Sequence, residues 1–396
     1  MKVVYVMLRA VTGEVYGGEK STIVTARGAA ERGHQPRFLV TADDLLAKEI
    51  QAAGLAFDVL PLGDPIAGIR DAPLLEKVRR TWQLARLNAR VFRMASGRAR
   101  AVVHVASMPE FFAAWAGARA ARAGLVFHVR DVSRAGHTRW YQEMAMLLTD
   151  RTIAISDSLR ESLVSTATSA LRGVLERRVV TVYNGFQYDV MDEFTARHRR
   201  EDARAAFGLA DDEVVAVMVG AVNEKKGQLK FIEEVLPSIA ATCPKLRMVF
   251  IGGFIHPDYV ARCRAAVAAH ALERRVTFAG YCSQPGVYRW YRAADLAVIA
   301  SAREGLSRFA VEAQAFALPV VSLRIVGPVD VVEHGTTGYL TAVGDPGGMA
   351  AAIDRLYHDV ELRERLGVRG AARVRERFVL ERHKDEIAKI YEEVVR

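Results

Sequence analysis

Short apolar runs alternate with longer segments of amphipathic, helical pattern along the whole chain. In the first half, the apolar runs occupy residues 2–8, 36–40, 101–105, 125–129 and 152–155. In the second half, they occupy residues 213–219, 246–251, 275–278, 296–300, 319–323 and 338–340. Strands that alternate with helices in this way predict an α/β protein with parallel sheets.

The pattern stops and restarts once, near the middle of the chain. Asn184-Gly185 ends the first series, and the charged residues 189–201 are predicted to form a connector before the second series begins. We therefore predict two doubly wound, Rossmann-like domains, residues 1–190 and 191–378. The chain is predicted to end in three helices, at residues 346–358, 362–377 and 381–395.

The composition is that of a soluble globular protein. The chain has 396 residues, 51% of them hydrophobic and 26% charged, which is enough for two hydrophobic cores. No apolar run is long enough to span a bilayer, and Met1-Lys2 leads straight into a strand, so we expect neither a signal peptide nor a transmembrane anchor. The three cysteines, Cys243, Cys263 and Cys282, lack metal-ligand spacing and favour a reducing cytoplasm.

The formal net charge of +9 comes from an arginine- and alanine-rich composition typical of a GC-rich genome, and no nucleic-acid-binding motif accompanies it. One basic segment, residues 74–87, has two interpretations. We expect an ordinary helix that packs through its apolar residues and has a basic outer face. The alternative is a peripheral contact with the inner face of a membrane through the basic residues 77–86. The apolar residues in question are Leu75, Val78, Trp82 and Leu87.

Two carboxylates flank a predicted strand-to-helix turn in the second half. Glu304 follows the strand at residues 296–300, and Glu312 is predicted to lie two turns inside the next helix. In an open parallel sheet such a turn lies at the carboxyl edge, where ligands bind. The helix N-terminus there offers N–H groups and a partial positive charge to a phosphate. Because carboxylates accept hydrogen bonds from sugar hydroxyls, the arrangement predicts a site for a sugar–diphosphate–ribose ligand.

The run from Glu304 to Glu312 resembles the E-x7-E motif of the retaining GT-B glycosyltransferases of family GT4. The resemblance extends over nearly the whole chain and implies the GT-B fold, in which the last helix, residues 379–396 here, crosses back to the first domain. It also implies that Glu304 contacts the transferred sugar and that Glu312 holds the ribose of the donor. The residues around them are expected to bind the donor as well: Arg303, Gly305, Leu306, Ser307 and Arg308.

The first turn of the second domain, from Gly220 to Gly227, resembles the phosphate-binding turn of the family. Lys226 matches the lysine of that turn and is expected to neutralise the departing diphosphate. Ala221 stands where the family has an arginine. Either Lys225, Arg303 or Arg308 supplies the second positive charge, or the phosphates are held less strongly.

Two further positions of the second domain correspond to donor contacts in the family. Gly253 closes the second strand of the domain, and Tyr281 follows the third. By resemblance Tyr281 covers the nucleotide base. The alternative is that Tyr281 packs at the edge of the sheet.

In the first domain, Gly17 and Gly18 open the first helix and resemble the glycine loop that lies beneath the donor diphosphate. His128 and Arg130 end the fourth predicted strand and therefore lie at its ligand edge. The resemblance implies a histidine beside the reacting centre. Either His128 or Arg130 is expected to take that role.

The chain contains no Asp-x-Asp and no His/Asp cluster with metal spacing, so a metal-dependent GT-A enzyme is disfavoured and neither a metal nor a cofactor is expected. The resemblance implies transfer of a hexose-type sugar from a nucleotide diphosphate to an acceptor hydroxyl, with retention. UDP-sugars are favoured as donors and GDP-mannose remains open. The acceptor is equally open, between cell-surface glycans or glycolipids and natural products. The alternatives are a hydrolysing nucleotide-sugar 2-epimerase and a non-catalytic nucleotide-sugar-binding scaffold, which Ala221 favours.

Overall fold

The computed structural model describes residues 1–8, 15, 17–62, 73–131 and 137–395. The chain divides into two compact units. Unit 1 contains Met1–Gly185 together with Leu380–Arg396, and unit 2 contains Phe186–Val379.

Unit 1 is built on a parallel sheet of seven strands in the order β3-β2-β1-β4-β5-β6-β7. The strands are β1 Lys2–Met7, β2 Gln35–Val40, β3 Ala56–Val59, β4 Ala101–Val105, β5 Gly124–Val129, β6 Arg151–Ala154 and β7 Val179–Thr181. The helices between them are α1 Gly17–Glu31, α2 Leu45–Ala52, α3 Leu74–Ala95, α4 Met108–Ala120, α5 His137–Leu148, α6 Asp157–Ser165 and α7 Ser169–Arg178. The central strands β4 and β5 are buried on both faces, as expected of a sheet covered by helices on both sides.

Unit 2 repeats the architecture with a parallel sheet of six strands in the order β10-β9-β8-β11-β12-β13. The strands are β8 Val214–Val219, β9 Leu246–Ile251, β10 Val276–Gly280, β11 Leu296–Ile299, β12 Val320–Leu323 and β13 Gly338–Thr341. The helices are α8 Tyr188–Arg197, α9 Arg200–Ala206, α10 Gln228–Glu234, α11 Leu236–Ala240, α12 Pro257–Ala269, α13 Gln284–Ala293, α14 Arg308–Ala315, α15 Pro328–Val331, α16 Pro346–His358 and α17 Val360–Arg377. The predicted pair of doubly wound parallel sheets is confirmed.

The last helix, α18 Leu380–Val394, packs on α1 in unit 1. Its inner face contributes Ile387, Ile390 and Tyr391 to the same core cluster as Tyr5 and Phe38 of the sheet. Gly124 at the start of β5 lies so close to Val394 that a Cβ at this position would collide with it. The C-terminal helix is therefore part of the core of unit 1.

Three expectations about individual elements are corrected by the structure. The edge strands β3 and β7 were not predicted, because neither has a buried apolar run. Residues 189–201 are not an irregular connector: most of them lie in α8 and α9, and α8 buries Met191 alone.

The third correction concerns the basic helix α3. The expected packing through Leu75, Val78, Trp82 and Leu87 is wrong for three of the four, because only Leu87 is buried. Leu75 is 86% exposed and Trp82 is 60% exposed. The face that α3 does bury lies toward its C-terminus, at Gln83, Leu87, Val91 and Ala95. In the part of the chain that the structure describes, no helix is both long enough and apolar enough to cross a membrane.

Candidate active site

The carboxyl ends of the neighbouring strands β8 and β11 bring Lys226 and Glu304 together. The Lys226 Nζ lies 2.6 Å from the Glu304 Oε1, and the Glu304 side chain is almost wholly buried. Burial by itself raises the pKa of the Glu304 carboxyl, but the charge and hydrogen bond of Lys226, with smaller contributions from Lys225 and Ser301, outweigh it and the pKa is lowered. Glu304 is therefore held as a carboxylate, in contact with an ammonium group, at the edge where ligands bind.

The turn that carries Lys226 is fixed by its own sequence. Residues Glu224–Lys226 form a single 3₁₀ turn, and the Lys226 N–H donates to the Asn223 side chain at 3.1 Å as well as to the Asn223 carbonyl oxygen. Gly227 follows with φ of 75°, and a Cβ there would collide with the carbonyl oxygen of Ala300 after β11. Only glycine combines this conformation with so close an approach.

Gln228, the first residue of α10, fastens the preceding loop. Its side chain is fully buried, donates to the Ala221 carbonyl oxygen at 3.2 Å and accepts from the Asn223 N–H at 3.3 Å. A second link joins the two loops, because the Ala302 N–H donates to the Lys225 carbonyl oxygen at 2.8 Å. Hydrogen bonds therefore connect the loop that carries Lys226 to the loop that carries Glu304, and the two loops are not independent of each other.

Glu312 lies one turn inside α14, not two as predicted, because the helix begins at Arg308. Its carboxylate is buried and accepts from the Tyr291 hydroxyl at 3.2 Å and from the Arg308 guanidinium at 3.0 Å. Ser307 caps the helix, accepting from the Ala310 N–H. Each carboxylate oxygen can accept more than one hydrogen bond, so Glu312 keeps capacity for a ligand hydroxyl.

The three candidates for a second positive charge differ in their surroundings. Arg308 pairs with Glu312 and stacks over the Phe186 ring at 4.9 Å. The charge of Lys225 helps to lower the pKa of the Glu304 carboxyl. Arg303 has a buried guanidinium Nε without a hydrogen-bond partner among the described residues. Of the three, Arg303 is the one whose donor group is most in need of an acceptor.

The remaining predicted donor positions of unit 2 lie at the same edge of the sheet. Gly220 has φ of 145°, and a Cβ there would press on the Lys226 side chain. The Gly253 carbonyl oxygen accepts from the Val222 N–H at 3.0 Å. Gly305 and Leu306 are buried next to Glu304. Tyr281 does not pack at the sheet edge, since it is 62% exposed after β10.

In unit 1, the predicted positions gather at the carboxyl edge of the first sheet. Gly17 and Gly18 begin α1, and the Arg130 side chain lies within 3.8 Å of where a Cβ on Gly18 would be. His128, in β5, is fully buried, and its Nδ1 lies 3.3 Å from the Arg130 Nη2. Residues 9–14 and 16 of the predicted glycine loop lie outside the described residues.

Several residues around these sites were missed from the sequence. In unit 2 they are Ser301, Tyr291, Asn223 and Gln228. In unit 1 they are His104, Tyr391 and Tyr5, which form a hydrogen-bonded series with His128. Asn223 carried a usable signal, an Asn placed three residues before a turn N–H. The others are distant in sequence from the groups they contact, and no local pattern marks them.

One group of possible metal ligands occurs among the described residues, away from this edge. Cys243, Asp354 and His358 place ligand atoms within 4.8 Å of one another. They were not recognised in the sequence because Cys243 is distant along the chain from the other two. Burial raises the pKa of the Cys243 thiol to about 11, and the thiol lies 3.5 Å from the Asp354 Oδ1. A protonated thiol that donates to Asp354 is the state these surroundings favour.

Two family models match the two halves of the chain in order. Residues 15–189 match the model described as Glycosyltransferase Family 4, and residues 199–373 match the model described as Glycosyl transferases group 1. A D-inositol 3-phosphate glycosyltransferase of Mycobacterium sp. is 34% identical over 209 residues, which is 52% of this chain and 44% of that protein. The chain thus spans about half the length of the curated relatives it matches.

Solved structures match the whole chain. Anabaena HepE in complex with UDP and glucose has a TM-score of 0.79 at 20% identity, covering 99% of both chains. A glycosyltransferase from Rickettsia africae has a TM-score of 0.81 at 17% identity, covering 100% of this chain and 98% of that one. At this level of identity the similarity shows the fold, and that fold is GT-B, as predicted.

Proposed function

We propose that this chain, a GT-B glycosyltransferase by its fold and by the models matched in both of its halves, transfers a hexose-type sugar from a UDP-sugar to an acceptor hydroxyl with retention at the anomeric carbon. The observation that carries the proposal is the 2.6 Å pair between Lys226 and Glu304 at the ligand edge of the second sheet. A site with a cation for the diphosphate and a carboxylate for the sugar is what such a donor requires.

The donor is expected to lie along the loops that follow β8 and β11. Lys226 turns from Glu304 to the diphosphate, and Arg303 supplies the charge that Ala221 lacks. Glu312 accepts from the ribose hydroxyls while Tyr291 and Arg308 hold it in place. Support for a uridine nucleotide comes from HepE, which has been solved with UDP and with UDP-glucose.

The reaction we propose needs no nucleophile from the protein. The bond from the anomeric carbon to the phosphate oxygen breaks, the acceptor oxygen bonds to that carbon on the same face, and the departing phosphate oxygen takes the acceptor proton. Lys226, Arg303 and the N-terminus of α14 offset the charge on the leaving group without a metal. Glu304 orients the sugar, and His128 or Arg130 is the candidate for a substrate contact within unit 1.

A panel of UDP-, GDP- and dTDP-sugars, assayed with EDTA present, tests this proposal. We expect one nucleotide family to raise the melting temperature and to be hydrolysed slowly, with the released sugar keeping its configuration. Release of a 2-epimerised free sugar would favour the hydrolysing 2-epimerase instead. Binding without any turnover, across acceptors and in their absence, would favour the scaffold, for which Ala221 is the one supporting feature.

We also propose that the exposed part of α3 lies on an anionic membrane. This α3 surface consists of Leu74, Leu75, Lys77, Val78, Arg79, Trp82 and Arg86. Its apolar side chains are between 60% and 86% exposed, far more than a packed helix allows. Glu76, which pairs with Arg79 and Arg80, is the only acidic residue in the segment 74–86, so the surface is net basic and complementary to anionic lipid headgroups. An acceptor presented at a membrane, as in glycolipid assembly, agrees with this surface better than a freely diffusing one.

Co-sedimentation with vesicles tests the α3 surface. Vesicles that contain phosphatidylglycerol should bind the protein, and pure phosphatidylcholine vesicles should bind it much less. Trp82→Glu should lower the bound fraction several-fold. Val368→Glu, at a similarly exposed apolar position on α17, is the matched control and should leave it unchanged. No preference for anionic vesicles, or equal losses in the two variants, would contradict the proposal.

A further inference from the structure

A buried series of hydrogen bonds connects the C-terminal helix to His128. The Tyr5 hydroxyl lies 2.8 Å from the Tyr391 hydroxyl, and the Tyr391 hydroxyl lies 2.7 Å from the His104 Nδ1. The other nitrogen of His104, Nε2, lies 3.2 Å from the His128 Nδ1. All four side chains are at most 1% exposed, so water does not compete for these bonds.

The direction of every bond in the series follows from Arg130. A guanidinium only donates, so the Arg130 Nη2, 3.3 Å away, requires a lone pair on the His128 Nδ1. The His104 Nε2 must then carry its hydrogen and donate to the same lone pair, which leaves the His104 Nδ1 as an acceptor. Tyr391 therefore donates to His104, and Tyr5 donates to Tyr391.

The charge states agree with this direction. Burial, and after it the charge of Arg130, lower the pKa of both His104 and His128 well below the usual value. Burial raises the pKa of both Tyr5 and Tyr391. With Arg130 donating to the His128 Nδ1, two neutral imidazoles and two protonated phenols permit a single arrangement of hydrogens, and in it His128 carries its proton on Nε2.

The His128 Nε2 has no hydrogen-bond partner among the described residues, although it is buried. A buried N–H donor without an acceptor is costly and is usually satisfied when a ligand binds. We propose that His104 and Tyr391 are positioning residues that hold His128 as the neutral Nε2–H tautomer, so that it donates a hydrogen bond to an oxygen of a substrate bound at the carboxyl edge of the first sheet. The inference rests on the proposed function for its ligand, and the tautomer itself does not depend on turnover.

Ring ¹⁵N spectra of histidine-labelled protein without substrate test the tautomer directly, with His128→Gln to assign the signals. The expected spectrum shows an Nε2–H, Nδ1-unprotonated ring for His128 across neutral pH. A protonated Nδ1, or a charged ring, overturns the proposal. Since no substrate is present, this result is independent of whether the protein transfers a sugar, which the donor panel decides.

Paired variants test the positioning role. In His104→Gln the amide N–H₂ can still donate to His128 while its oxygen accepts from Tyr391, whereas His104→Phe does neither. We expect the Phe variant to lower kcat for donor hydrolysis by about tenfold or more and to give mixed His128 tautomers, with the Gln variant restoring most of both. Equal loss in the two variants overturns the proposal.

A second pair keeps the proposal testable if the His104 variants do not fold. Tyr391→Phe removes the donor to His104, while Tyr5→Phe removes a hydroxyl of the same size one step further away. We expect the larger fall in kcat, with mixed His128 tautomers, in Tyr391→Phe. Equal kcat and an unchanged His128 spectrum in both variants would show that the series does not govern His128.

Discussion

At the residue scale, Lys226 and Glu304 neutralise each other's charge in a 2.6 Å ion pair. The ammonium of Lys226 has three hydrogens and uses one on Glu304, so a diphosphate can be bound before the ion pair is fully broken. The pair also compensates the charge of Glu304, whose side chain is almost wholly buried. Under the proposed function, the donor diphosphate therefore meets a cation that is already in place.

Glu304→Gln should impair turnover more than donor binding. The amide cannot offset positive charge that develops on the sugar, and Lys226, released from its partner, is more available to the diphosphate. We expect kcat to fall by about 10²–10³-fold with the Kd for the UDP-sugar unchanged or lower. Calorimetry and steady-state hydrolysis separate the two effects, and a loss confined to donor binding would refute the role assigned to Glu304.

Glu312→Ala should weaken donor binding more than it impairs turnover. It removes the proposed acceptor for the ribose and the hydrogen bonds from Tyr291 and Arg308, so the Kd for UDP should rise by about tenfold or more. Once donor saturates the site, kcat should be close to that of the wild type. The control is 2′,3′-dideoxy-UDP, whose affinity should be the same in both proteins.

Glu110 should make the stability of unit 1 depend on pH. The side chain is buried at the start of α4, where it accepts from the Ala106 N–H at 2.7 Å, and burial raises its pKa to about 7. The folded state therefore binds this proton more tightly than the unfolded state. The stabilisation is complete below the unfolded pKa and is lost as the pH rises toward 7.

The test compares wild type with Glu110→Gln, which keeps an acceptor oxygen but cannot ionise. The difference in unfolding free energy between the two should shift by at most about 3 kcal/mol in favour of the variant between pH 4.5 and 7. Urea unfolding at several pH values measures it. A difference that stays constant over this range would mean that the folded-state pKa of Glu110 is ordinary.

The sequence was sufficient to predict the candidate site residues that lie on motifs. It was insufficient to predict the residues that reach the site through contacts between distant parts of the chain. Glu304 and Glu312 have seven residues and one turn between them, so their proximity to one edge could be predicted. His104 and Tyr391 contact each other across most of the length of the chain. Nothing local in either segment distinguishes a buried hydrogen-bonding residue from an ordinary one.

At the element scale, buried strands were predicted to within two residues at each end, because a strand covered on both faces is a continuous apolar run. The edge strands β3 and β7 escaped because neither is a continuous buried run: β3 is exposed at both ends, and β7 has only three residues, of which one is buried. Helix α8 was mistaken for a connector for a related reason, since a helix that buries Met191 alone has almost no apolar face.

The turn between β8 and α10 should tolerate no side chain at Gly227. Gly227→Ala combines the cost of positive φ with a collision against the Ala300 carbonyl oxygen, so the loop that bears Lys226 must move. Gly208→Ala is the matched control, since Gly208 has φ of 63° and nothing within 4 Å of its added Cβ.

The control should cost about 1–2 kcal/mol, the cost of left-handed backbone alone. Gly227→Ala should cost clearly more and should also weaken UDP binding, because Lys226 is displaced. Denaturant unfolding and calorimetry measure the two quantities. Equal costs for the two variants, with UDP binding intact, would show that the contact with Ala300 does not position Lys226.

At the scale of the whole molecule, the first unit cannot be completed until the end of the chain has been made. Ile387, Ile390 and Tyr391 fill its core from α18. The fold class was predictable from the alternation of elements. The contribution of the last helix to the hydrogen bonds around His128 could not be predicted. It depends on the orientation of the Tyr391 side chain, which is distant from His128 along the chain.

Ending the chain after Val379 should therefore unfold unit 1 and leave unit 2 folded. Each large apolar side chain lost from the core removes about 1.5–3 kcal/mol, and the three together approach the whole stability of a typical domain. Calorimetry should show one of two unfolding transitions missing, with UDP binding retained. Arg32→Ala, which breaks only the exposed ion pairs to Glu381 and Asp385, is the control and should keep both transitions. A shortened chain that still shows both transitions would contradict the prediction.

The place where unit 2 interrupts unit 1 has a consequence for folding. Gly185 packs against Leu380 within unit 1, and the Phe186 N–H donates to the Phe378 carbonyl oxygen within unit 2. To dock α18 on a nascent first sheet, an unfolded chain must close a loop of roughly 190 residues. Once unit 2 has folded and its two ends are paired, that loop is effectively only a few residues long. The entropy saved is worth about 3 kcal/mol, so prior folding of the second unit lowers the barrier to completing the first.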